Sequence, residues 1–162
     1  MVGRWNLGSE RPLPRHRDRD EPERYRHVER SQSDYACLMI PISELQKLMR
    51  KLESQKGRFT LFGLFLREDS PGTWDLVVAA PWLEHGKLKA LREFARELSN
   101  TFGQAQILSF SGIVTLNHRD PALRAILKDV GSVREPVERR GHSLFGLPVE
   151  HAFILRARRL AA

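Results

Sequence analysis

The chain has 162 residues, 41% hydrophobic and 29% charged, with a formal net charge of +7 and a pI near 10.2. That length suits one domain plus an extension, with a core large enough to fold without covalent staples. Its single cysteine, Cys37, excludes an internal disulfide and fits a reducing compartment. No apolar run approaches the roughly 20 residues of a membrane span, and no apolar stretch follows the N-terminal charges as a secretory signal would require. The expectation is a cytoplasmic protein with no membrane partner.

The positive charge invites phosphate contacts, so its distribution matters. Up to Cys37 eight arginines face seven acidic residues; from Leu38 onward 19 basic residues face 13 acidic ones. The excess therefore belongs to the second part of the chain. Residues 1–38 mix both charges densely and hold few aliphatic side chains. Such a segment cannot bury enough surface to offset the ordering entropy, and it reads as a disordered, charged extension. Its bias toward Arg over Lys is that of an RNA-binding arm, but the interleaved Asp and Glu oppose that use. Met39 is an alternative start of the chain.

Residues 39–162 read as one globular domain. Ile42, Leu45, Leu48, Met49 and Leu52 recur at helical spacing, which predicts a helix over 42–56. Ser43 and Gln46 suit a capping box, and Gly57 ends the helix. The stretch 58–80 then gives two apolar runs around Glu68-Asp69-Ser70-Pro71-Gly72, a hairpin pattern. Alternation puts Phe59, Leu61 and Phe65 on one face and Phe62, Leu64 and Leu66 on the other. With both faces apolar, this strand is expected at a sheet centre.

Pro81 cannot extend a central strand, and Trp82 is expected to plug the gap between sheet and helix. A second helix is predicted over 87–101, closed by Phe102 and Gly103. A strand is predicted over 105–116, with Gly112 marking a bulge or a close backbone approach. Asp120 followed by Pro121 is a strong helix start, and Gly131 stops that helix. Residues 132–148 are broken by Gly141, Gly146 and Pro148, and 149–156 reads as a last strand. The expected fold is α/β (α+β). It has a mixed or antiparallel sheet of about four strands built on the 58–80 hairpin, with about three helices packed on it.

Candidate chemistry is sparse. None of the six histidines is spaced with another His or a Cys as metal ligands are, although His118, Asp120 and His151 could meet in three dimensions. No metal and no cofactor are expected. Ser109 and Ser111 lack the frame of a nucleophile elbow, and GHSLFG lacks the lysine and spacing of a phosphate loop. Asp75 is an unusual residue inside a strand. The order of helix, strand with Phe62-Gly63, turn, and then Asp75-Leu76-Val77-Val78 resembles the minimal nucleotidyltransferase core. There a Gly-Ser turn precedes an Asp-x-Asp pair that holds the metal. Here Leu64 follows Gly63 and Asp75 stands alone, so the resemblance implies a degenerate site with Asp75 as the weak catalytic candidate.

Three functional readings follow, in this order. The first is a non-enzymatic interaction module that binds another protein or itself as a homo-oligomer, through exposed aromatics such as Trp74 and Phe145 or through a sheet edge. The second is nucleic-acid binding by Arg134, Arg139, Arg140, Arg156, Arg158 and Arg159, clustered if the last strand lies beside the preceding loop. The third is the degenerate nucleotidyltransferase-like domain centred on Asp75.

Overall fold

The computed structural model describes residues 40–70 and 72–160. The charged extension at 1–38 and Cys37 lie outside the described residues. A hairpin starts the sheet: β1 (Leu61–Arg67) pairs antiparallel with β2 (Trp74–Ala79), as their turn chemistry predicts. Among the described residues the sheet is mixed and has five strands in the order β3-β2-β1-β5-β4. In it, β3 (Phe110–Thr115) runs parallel to β2, while β5 (Val149–Ala157) is antiparallel to both β1 and β4 (Val137–Arg140).

The central place of β1 follows from its two apolar faces. Phe62 and Leu64 join Leu76, Val78, Phe153 and Leu155 under α1 (Ile42–Lys56) and α3 (Lys87–Thr101). Leu61 and Phe65 join Val77, Ala152 and Ile154 on the opposite face, under Leu123, Ile126 and Leu127 of α5 (Pro121–Val130). Each helix buries one apolar stripe, and the sheet supplies the apolar surface between them. Phe59 departs from the simple alternation. It precedes β1 and turns into the first layer, with its ring 4.9 Å from Phe62, 5.4 Å from Trp82 and 6.2 Å from Phe94. Trp82 does fill the gap between sheet and helix, and its indole N–H donates to the Gly57 carbonyl at 3.1 Å.

Several boundaries differ from expectation for local reasons. Helix α1 starts after Pro41 and has no side-chain cap, so the Ser43–Gln46 box does not form. Pro41 has the φ of −69° that its ring imposes, and its carbonyl accepts the Leu45 N–H at 3.1 Å. Residues 81–85 form a short helix, α2 (Pro81–His85), since Pro at the first position is preset for a helix. The strand predicted over 105–116 is shorter. Gln106 accepts the Gly103 N–H at 3.1 Å and closes a single turn, α4 (Gln104–Ile107), ahead of β3. The broken segment 132–148 yields β4 and a 3₁₀ turn at Leu144–Gly146, which makes five strands where about four were expected. In that turn Ser143 and Phe145 adopt φ of 49° and 60°, a left-handed conformation rarely adopted outside glycine. Glu68 accepts the Ser143 N–H at 2.8 Å, and the Phe145 ring packs 5.7 Å from Phe65, so tertiary contacts hold the strained turn.

Candidate anion-binding cleft

The end of the sheet where β1 begins and β2, β3 and β5 finish opens into a cleft of about 920 Å³. Arg58 enters it just before β1. His118 follows β3, Arg124 stands on the first turn of α5, and Arg158 and Arg159 leave β5. Glu84 and His85 close it from α2. Four arginines and two histidines thus share the cleft with one acidic residue. The floor is apolar, supplied by Phe59, Ala79, Leu116 and Leu123. Cationic rims over a low-dielectric floor focus a positive potential that favours phosphate or carboxylate.

Glu84 organises one wall. One of its oxygens, Oε1, accepts the His118 backbone N–H at 2.9 Å and pairs with His118 Nδ1 at 2.8 Å. Partial burial, the largest single influence, pushes the Glu84 carboxyl up. The two His118 hydrogen bonds, with the charges of His118 and His85, outweigh it and hold the carboxyl below the ordinary glutamate range. Opposite, Glu53 of α1 receives two arginines. Arg156 Nε donates to Oε1 at 2.8 Å and Arg158 Nη2 to Oε2 at 3.1 Å. Arg156 and Glu53 are only 14% and 12% exposed, so Arg156 serves the packing of α1 on β5. The Arg158 backbone N–H also donates to the Thr60 carbonyl at 2.9 Å, which fixes the exit of β5. One carboxylate offsets one of these two guanidinium charges, and Arg158 keeps a buried Nε with no partner among the described residues.

The six arginines expected from sequence do not form one patch. The condition set for them is met, because β4 pairs with β5. However, Arg140 sits opposite His151, seven residues before Arg158, and at about 3.3 Å per residue that separates them by roughly 20 Å. Arg139 and Arg140 also meet local acids, Asp129 at 3.6 Å and Glu138 at 2.6 Å. Arg134 is exposed beside Val133, which bridges Ala157, and so stays near the β5 exit. Arg158 and Arg159 do line the cleft, joined by Arg58, Arg124 and His85, which sequence reasoning did not single out, and by His118, which it weighed only beside Asp120 and His151. Each lies at or beside the end of an element, and only the strand order shows that those ends coincide.

Asp75 stands on an internal strand of the sheet. It lies on β2, 5% exposed, and accepts a hydrogen bond from Ser111 of β3. Its second oxygen is buried without a partner among the described residues. Ser111 is the extra residue of a bulge, since Trp74 and Asp75 register with Phe110 and Gly112. Among the described residues no three His, Cys, Asp or Glu side chains gather as a metal site. The triad His118, Asp120 and His151 is dispersed: Asp120 caps α5 by accepting the Ala122 N–H at 2.9 Å, and buried His151 pairs with Glu138 at 2.7 Å. Among the described residues no helix is long and apolar enough to cross a membrane.

Fold and cleft together define a five-stranded mixed-sheet α+β protein with a cationic cleft at one sheet end. No protein-family model, no curated protein and no solved structure matches the chain.

Proposed function

We propose that the protein binds nucleic acid through its phosphate backbone, with the cleft as the contact surface. The observation that supports this reading is the convergence of Arg58, Arg124, Arg158 and Arg159, from three separate parts of the chain, on one open concavity. Phosphate contacts of this kind give affinity with little sequence preference. His85 and His118 add hydrogen-bond donors and flat rings on which an unstacked base can rest. The protein-partner reading loses one of its supports, because Trp74 is 7% exposed and Phe145 half-buried. The degenerate nucleotidyltransferase reading gains no support, since the Asp75 carboxylate accepts from Ser111 and no three acidic, His or Cys side chains gather among the described residues.

The test is fluorescence anisotropy of labelled single-stranded RNA and duplex DNA at low salt and at about 0.15 M salt. Arg58→Ala, Arg124→Ala and Arg159→Ala combined are expected to weaken binding and to lower the salt slope by about two to three units. Arg139→Ala with Arg140→Ala is expected to change it little. Binding that is equally sensitive to both sets, or absent at low salt, would discard the cleft as the interface.

A further inference from the structure

The two edges of the sheet are built differently. Edge strand β4 is four residues long and carries Glu138, Arg139 and Arg140, which are engaged in ion pairs. Charges and short length are the usual protection of an exposed strand edge. Edge strand β3 has neither. It is six residues long, and from Leu98 to Asn117 the chain has no Asp, Glu, Lys or Arg, although 29% of all residues are charged. Leu108, two residues ahead of β3, is 71% exposed.

Among the described residues, one side of the β3 backbone is unused. Leu116 N–H donates inward to the Val78 carbonyl at 2.9 Å, so the N–H and C=O of Ile113 and Thr115, on the alternate residues, point off the sheet. No hydrogen bond reaches them from the described residues. Gly112 follows the bulge at Ser111 and does not have a positive φ, and a side chain there would meet nothing within 4 Å among the described residues.

We propose that two copies of this chain associate through β3, antiparallel across a two-fold axis, to form one continuous ten-stranded sheet. The occupant follows from charge. A chain of net charge +7 repels its copy, and the least repulsive contact between copies is at the segment with no charge. A strand pairing with itself about a two-fold axis is self-complementary, and each Ile113 and Thr115 meets the same donors and acceptors it presents. The association is independent of what the cleft binds. It leaves the cleft arginines untouched, and the opposed β3 strands carry the two clefts toward opposite ends of the joint sheet.

The experiment is sedimentation equilibrium of the full chain over about two decades of concentration, since self-association must depend on concentration. The wild type is expected to approach twice 18.7 kDa. Thr115→Pro removes one outward donor from each copy, two hydrogen bonds across the axis, and is expected to raise the dimer dissociation constant about tenfold or more. Thr115→Lys, at a half-buried residue one position from the axis, brings two like charges close together across the seam and acts in the same direction. Circular dichroism confirms that each variant is folded. If Thr115→Pro fails to fold, Thr115→Lys still decides. A wild type that stays monomeric throughout, or a dimer that both folded variants leave unchanged, would overturn the proposal. Anisotropy on the same variants separates it from the cleft reading, because per-subunit nucleic-acid binding is expected to survive the loss of the dimer.

Discussion

Gly63 shows how strictly a single position is constrained. It sits mid-β1, where an added Cβ would lie 2.9 Å from the Phe153 carbonyl oxygen and 3.1 Å from both Ile154 Cδ1 and Phe65 Cε1. The carbonyl belongs to a central ladder and cannot retreat without disturbing β5. Gly63→Ala is expected to destabilise the fold by about 1–3 kcal/mol, through overpacking, in chemical denaturation. Glu84 gives a residue-scale prediction in pH. Its folded carboxyl titrates below the ordinary range, so its contribution is present above the unfolded glutamate pKa and is lost as pH falls through the lower folded value. Glu84→Gln is expected to lower thermal stability in the neutral range, to flatten the acid limb against pH below about 4.3, the usual glutamate pKa, and to converge on the wild type at lower pH. An acid limb identical to that of the wild type would refute this role for the Glu84–His118 pair.

At the scale of elements, α1 is joined to the sheet in two ways. Its apolar stripe packs on Phe62 and Leu64, and Glu53 ties its last turns to the exit of β5. Glu53→Ala strands the largely buried Arg156 and is expected to cost about 2–4 kcal/mol in denaturant titration. Glu53→Gln, which keeps the shape and one acceptor, is expected to cost less. The start of α5 depends on Asp120, whose side chain satisfies the Ala122 N–H with Pro121 beside it. Asp120→Ala is expected to cost about 1 kcal/mol, since it leaves that donor uncapped. Because α5 carries Arg124 into the cleft, the same substitution is expected to weaken nucleic-acid binding by anisotropy more than its modest stability cost implies.

Taken as a whole, the molecule places its two candidate surfaces at different borders of one sheet. The cleft occupies the end where β1 begins, and the uncharged edge runs along β3. The sequence alone determined the hairpin, the central position of β1, the two long helices and the Asp120 start of α5. Each rests on contacts between residues close in the chain: alternation, helical spacing, a turn and a cap. It did not determine β4, whose Val137–Arg140 carries one apolar residue and becomes a strand only because β5 offers a ladder to it. Nor did it determine the cleft. Arg158 and Arg159 stand out in the basic tail, but Arg58 and Arg124 are unremarkable in their local segments, and all four converge because the strand order brings three separate parts of the chain to the same end. Local periodicity is set by neighbours three or four residues away, whereas a site is set by which distant ends meet, and that depends on long-range strand pairing alone.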